Sequence, residues 1–144
     1  MKTNQAFWDT SALVALCARE PASTHARQIL RQYSKPVVWW GTYAEAWSAF
    51  ERTRRQGVLS TAHREVARNK LEQLATFWIE IIPNDQVRQL TLDLLAKYPL
   101  RTGDAFQLAA ALVWCNEKPR HRTIVCFDVR LSQAAGQVGF TVIA

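Results

Sequence analysis

Four carboxylates stand out by where they fall in the chain: Asp9, Glu45, Asp104 and Asp128. Asp9 directly follows the apolar run Ala6-Phe7-Trp8, and Asp128 directly follows Thr123-Ile124-Val125-Cys126-Phe127. Glu45 lies three residues after Thr42, and Asp104 sits at the head of an Ala-rich stretch opened by Thr102-Gly103. If the fold brings these residues to one rim, they repel one another, and each is costly to keep ionised beside an apolar core. Few basic residues lie beside them, the nearest being Arg101 and Arg130. A divalent cation, Mg²⁺ or Mn²⁺, is the natural offset, because it prefers hard oxygen ligands and keeps several waters. Such an ion lowers the pKa of a bound water and neutralises charge on a phosphate. Each acid also has a plainer reading. The helix dipole favours an acid in a first turn, Thr42 and Glu45 have the spacing of a capping box, and Asp128 can cap the helix after it. Together they point to an acidic metal site and say nothing specific about the substrate.

The elements that must position these acids follow from hydrophobic periodicity. Ala6-Phe7-Trp8 reads as a strand and Thr10 to Ala18 as a helix, broken at Glu20-Pro21. Ser23 to Tyr33 carries an apolar stripe of Ala26, Ile29, Leu30 and Tyr33, which predicts a second helix. Pro36 to Trp40 is a second strand, rich in β-branched and aromatic residues. A helix from Thr42 towards Gly57 follows, then one from Ser60 to about Phe77, then a strand over Trp78 to Ile82 stopped by Pro83. Asn84 caps a helix that ends at Tyr98-Pro99. The helix opened by Thr102-Gly103-Asp104 is apolar nearly all round, so it is expected to be central. A fourth strand over Thr123 to Phe127, a helix over Leu131 to Gly136 and a last strand over Phe140 to Ile143 complete the chain. Alternating strands and helices predict an α/β fold with a parallel sheet covered on both faces. Ligands of such sheets gather beyond the carboxyl ends of the strands, where the acids fall.

The bulk properties narrow the class. With 144 residues and no repeat, linker or low-complexity block, the chain reads as one domain, 1–144. Hydrophobic residues make up 49%, enough to exclude disorder, and no apolar run approaches a membrane span. Polar residues follow Lys2, so no signal-peptide pattern opens the chain, and a soluble, non-exported protein is expected. A net charge of +6 favours polyanionic partners. Cys17, Cys115 and Cys126 have apolar neighbours and are odd in number, which fits buried thiols and no disulfide framework. His25, His63 and His121 are scattered and carry no zinc spacing.

On these residues the chain resembles the PIN-domain family. Phe7-Trp8-Asp9-Thr10-Ser11-Ala12-Leu13-Val14 is similar to the family's opening strand and helix, and Thr42-Tyr43-Ala44-Glu45-Ala46 to its second motif. Leu100 to Ala111, with Asp104 opening an Ala-rich helix, resembles the third. Val125-Cys126-Phe127-Asp128 with Ala134-Ala135 and Gly139 to Ile143 resembles the closing strand–Asp–helix–strand unit. The match spans essentially the whole chain in order, and its length and order look most like the VapC-type toxins. Trp8 is bulkier than expected before the first acid, and Gly103 stands where Ala or another small residue is common.

The resemblance implies a single PIN-like α/β domain with a mainly five-stranded parallel sheet. It implies a cytoplasmic, Mg²⁺- or Mn²⁺-dependent endoribonuclease, a homodimer and a cognate antitoxin lying across the active site. Asp9, Glu45, Asp104 and Asp128 become the metal-binding acids, and Ser11 the family's small hydroxyl residue, which can equally be a plain N-cap. A metal-activated water then attacks a backbone phosphorus in line with the leaving 3′ oxygen, giving 5′-phosphate and 3′-hydroxyl products. Arg101 and Arg130 lie where neighbouring phosphates would pass. Arg52, Arg54, Arg55, Arg64, Arg68 and Lys70 are more distant RNA-binding candidates, for which a solvated helix face is the preferred reading. Trp39, Trp40, Trp47 and Trp78 could stack bases, though core or interface packing suits their settings better. A haloacid-dehalogenase-type phosphatase needs a second acid where Ser11 stands, and a receiver domain needs an Asp on the third strand, which ends Ile82-Pro83-Asn84. The remaining alternative is a PIN fold that binds RNA or protein without cutting.

Overall fold

The structure, a computed structural model, describes residues 3–144. Five strands, β1 (Gln5–Trp8), β2 (Lys35–Trp39), β3 (Ile79–Ile81), β4 (Thr123–Val125) and β5 (Thr141–Ile143), form one parallel sheet in the order β3-β2-β1-β4-β5. Seven helices connect them among the described residues: α1 (Thr10–Cys17), α2 (Ser23–Gln32), α3 (Thr42–Arg55), α4 (Thr61–Ala75), α5 (Asp85–Lys97), α6 (Thr102–Trp114) and α7 (Val129–Val138). No helix among them is long and apolar enough to cross a membrane.

Strand alternation divides the core into two layers. Successive side chains of a strand point to opposite faces. Phe7, Val37 and Trp39 therefore pack into one cluster with α5, α6 and α7, where Leu108, Val87 and Leu131 are buried. Ala6, Trp8 and Val38 face the other cluster, built with Leu13, Phe50 and Leu71 of α1, α3 and α4. The bulk of Trp8 thus goes into the core and away from the cleft, so it leaves Asp9 in place. Helix α6 is buried over seven of its thirteen residues, as its apolar circumference predicts.

The order of the strands reverses at β1. From β1 the chain moves outward through β2 to β3, then crosses back to β4 on the other side of β1. The connections before and after this reversal leave a crevice at the carboxyl ends of β1 and β4.

Several local details differ from the sequence reading. Helix α3 is capped by Gly41 with no side-chain hydrogen bond, so Thr42 and Glu45 do not form a capping box. Asp9, and not Ser11, is the N-cap of α1. Strand β4 stops at Val125, so Asp128 follows the strand at a distance of two residues, Cys126 and Phe127. The Cys126 N–H still donates to the Ile143 carbonyl at 3.0 Å, which extends the ladder one residue. Helix α7 begins at Val129, two residues before the apolar stripe becomes visible.

Candidate active site

Asp9 is fixed more firmly than any other acid of the crevice. It is 5% exposed, and its own N–H donates to the Val125 carbonyl at 3.0 Å, which ties the end of β1 to β4. One carboxylate oxygen, Oδ2, accepts from the Ser11 N–H (3.1 Å) and the Ser11 hydroxyl (2.6 Å); the Cys126 thiol lies between this oxygen (3.7 Å) and the nearer Asp128 carbonyl (3.4 Å). Ser11 Oγ in turn accepts from the Phe127 N–H at 3.0 Å. Ser11 is therefore a brace between the heads of β1 and β4, and it leaves Oδ1 without a hydrogen-bond partner among the described residues. Burial raises the Asp9 pKa, Ser11 pulls it down, and the charge of Asp104 raises it again. The Cys126 thiol is itself pushed up to about 12 by burial and by Asp9, so it stays protonated and donates.

Glu45 is held by an amide that the sequence reading passed over. Gln107, 1% exposed, lies one turn beyond Asp104 on α6. Its Nε2 donates to Thr10 Oγ1 (2.8 Å), Thr42 Oγ1 (2.9 Å) and Glu45 Oε1 (3.2 Å). One side chain thus couples α1, α3 and α6. Thr42 is the first residue of α3, one past the Gly41 cap, and its hydroxyl accepts from Gln107. The signal was present: Gln107 is a single amide inside an otherwise apolar helix, at i+3 from an acid. Burial and then the charge of Asp9 push Glu45 up to about 7, against the opposing bonds from Gln107 and Thr10.

Asp104 and Asp128 complete the rim. Burial raises the Asp104 pKa and Asp128 raises it further, while Arg101 and Arg130 work against both. Asp128 Oδ1 accepts from the Leu131 N–H at 2.8 Å, so its capping role is realised; Oδ2 has no partner among the described residues. All four acids line one cavity of about 580 Å³, together with Thr10, Ser11, Ser48 and Arg52. A second cavity of about 700 Å³ shares Asp104, Phe127 and Asp128 with the first and adds Arg101 and Arg130.

Among the described residues none of the four acids forms an ion pair, and no three His, Cys, Asp or Glu side chains make a ready metal cage. That donor set suits Mg²⁺ or Mn²⁺. These ions take hard carboxylate oxygens, keep much of their water shell and need only one or two carboxylates each when a phosphate supplies the rest. It does not suit a structural zinc, which demands four closed ligands.

The distal basic residues fall into three sets. Arg54, Arg64 and Arg68 are bound to Glu51, the last two also to Glu65, and Arg68 lies 4.1 Å over the Trp47 ring. Arg55 and Lys70 are exposed and line neither acid cavity; Arg52 alone of the group does. Trp39 stacks on Phe106 with ring centres 5.4 Å apart, and Trp78 meets Tyr43 edge-on. Trp40 is 55% exposed but borders a different pocket, so none of the four tryptophans faces the acids.

The profile of one protein family, described as "PIN domain", matches residues 6–137. A toxin–antitoxin complex from Klebsiella pneumoniae superposes with a TM-score of 0.67 at 16% identity, covering 96% of each chain. VapC20 of Mycobacterium tuberculosis, described as a sarcin-ricin loop cleaving toxin, gives 0.68 at 16% identity over 94% of this chain and 96% of its own. FitAcB of Neisseria gonorrhoeae gives 0.66 at 14% identity, covering 96% of each. No curated protein sequence matches the chain significantly.

Proposed function

The chain belongs to the PIN domain family, and from that premise we propose that it is a Mg²⁺- or Mn²⁺-dependent endoribonuclease, the toxin of a type II toxin–antitoxin pair. The observation that carries the reading is the convergence of Asp9, Glu45, Asp104 and Asp128, without ion-pair partners among the described residues, on one cavity at the strand-order reversal. The fold likeness to a toxin–antitoxin complex and to a toxin that cleaves the sarcin-ricin loop supports RNA as the substrate and a proteinaceous antitoxin as the partner.

Asp9, Glu45 and Asp104 are the residues that would hold the cation, one or two of them directly and the rest through its retained waters, with Asp128 at the edge nearest the second cavity. When bound, the cation lowers the pKa of a water and neutralises charge on the scissile phosphate. The protein's own contribution is orientation. Ser11 fixes one oxygen of Asp9 through its N–H and hydroxyl and leaves the other for the cleft. Gln107 fixes Glu45 from behind, and Arg101 and Arg130 receive the phosphates that flank the cut. Water, and not the 2′-hydroxyl, forms the new bond to phosphorus, and the bond to the 3′ oxygen breaks. The products are 5′-phosphate and 3′-hydroxyl ends. The reading includes a cytoplasmic location and a homodimer.

Expression in a bacterial host tests the biological half of this proposal. The wild-type chain arrests growth, and the near-isosteric Asp104→Asn chain, produced to the same level, does not. Equal growth of the two strains, or equal arrest, would rule out toxicity through this site.

A further inference from the structure

We infer that Arg52 is a phosphate-binding position on the far side of the acids from Arg101 and Arg130, holding the backbone next to the nucleotide that is cut; this rests on the ribonuclease reading above. Its neighbours Arg54, Arg64 and Arg68 are ion-paired with Glu51 and Glu65, whereas Arg52 has no ion pair among the described residues. Glu45, Ser48, Ala49 and Arg52 recur at i, i+3, i+4 and i+7, so they share one face of α3, and all four line the acid cavity. Seven helical residues advance the chain by about 10 Å. The Arg52 guanidinium therefore meets a phosphate displaced from the one at the acids. Ser48 and Ala49 are small and leave the stretch between open to a strand.

Arg52 is the only Lys or Arg among the described residues that line this cavity, and a guanidinium fork matches two phosphate oxygens. Past the acids, the shared wall of Asp104, Phe127 and Asp128 leads to the second cavity and its Arg101 and Arg130. Arg52 on one side and Arg101 and Arg130 on the other thus bracket the four acids, with Glu20 also lining the Arg52 cavity. A strand crossing this path presents an interior phosphate to the acids, which requires nucleotides on either side of the cut. Such contacts position the backbone and carry no base information.

Binding of fluorescein-labelled oligouridine to the Asp104→Asn protein isolates this contact from cleavage. Adding Arg52→Ala weakens binding roughly tenfold, the worth of a hydrogen bond to a charged group. It also flattens the slope of log affinity against log salt by about 0.7, the loss of one single-strand phosphate contact. Arg52→Lys recovers the salt slope, which follows charge, and only part of the affinity, because an ammonium lacks the bidentate fork. Arg88→Ala, which removes the same charge from α5 outside both acid cavities, changes neither. In cleavage-competent protein Arg52→Ala raises KM with kcat near wild type, since the contact is equal in ground and transition states. If wild type cleaves RNA while Arg52→Ala behaves as Arg88→Ala does, this inference falls and the ribonuclease reading stands. If wild type neither cleaves RNA nor binds oligouridine, both fall.

Discussion

Glu45 and Gln107 show how a site can be built from a charge and the amide behind it. Gln107 gives Nε2 to Glu45, Thr10 and Thr42, and its Oε1 is buried with no partner among the described residues. Replacing it by Leu keeps the apolar contacts of α6 and removes all three bonds. Outer residues that orient metal ligands typically contribute tenfold or more to affinity. Gln107→Leu is therefore expected to weaken Mn²⁺ binding by about tenfold in calorimetric titration, while circular dichroism shows the fold retained. The titration of Glu45 gives a second expectation. Its pKa rises from 4.5 to about 7 on folding, through burial and the charge of Asp9, so the folded state holds the proton more tightly. The stability this contributes is complete below pH 4.5 and is lost as pH climbs through 7. Asp9 and Asp104 shift in the same direction, so they add to the same trend. Metal-free protein should lose thermal stability across that window, and Glu45→Gln should flatten the fall. The proposed metal role requires the ionised form, so the stabilising increment from Mg²⁺ should grow with pH. A metal-free melting profile that is flat from acid to neutral would contradict the assignment.

The elements explain why these side chains are held so closely, and two glycines test that explanation. A Cβ on Gly41 would collide with the Trp39 indole, which is itself stacked on Phe106 between β2 and α6. Gly41→Ala should cost about 1–3 kcal/mol, the usual penalty for overpacking. By contrast, a Cβ on Gly103 would lie 3.9 Å from Glu45 Oε2, an ordinary contact. Gly103→Ala should leave stability unchanged or raise it by up to about 1 kcal/mol through helix propensity. Urea titrations of both variants measure the difference. The order of elements was legible because period and punctuation agree: Pro83 stops β3, Asn84 caps α5, and Tyr98-Pro99 ends it. What was not legible turned on partners distant in sequence. Thr42 looked like a cap because Glu45 follows at the right spacing, and only the approach of Gln107 from α6 shows where its hydroxyl goes. Likewise Ser11 looked like a local cap, whereas its hydroxyl braces Phe127, 116 residues away.

Across the whole molecule, the sheet's reversal at β1 gathers residues that are far apart in the chain. Asp9 ends the central strand, Asp128 follows its neighbour β4, and α3 and α6 bring Glu45 and Asp104 from opposite layers. The net charge of +6 is not spread evenly around this point. Arg54, Arg64 and Arg68 are ion-paired with Glu51 and Glu65 on the α3–α4 side, and Arg52, Arg101 and Arg130 lie along the two acid cavities. Negative charge at the centre and positive charge along the flanks is a poor surface for a bare anion and a good one for a cation bridging to a polyanionic strand. The most direct test is to incubate the purified, partner-free chain with structured RNA and Mg²⁺ or Mn²⁺, beside EDTA and Asp104→Asn controls, and to map the new ends. Internal cleavage that needs both the metal and Asp104 and leaves 5′-phosphate and 3′-hydroxyl ends is the predicted result. Cyclic phosphate ends, cleavage that survives EDTA, or a well-folded protein that binds a broad RNA panel without cutting it would contradict the account, the last in favour of a binding module.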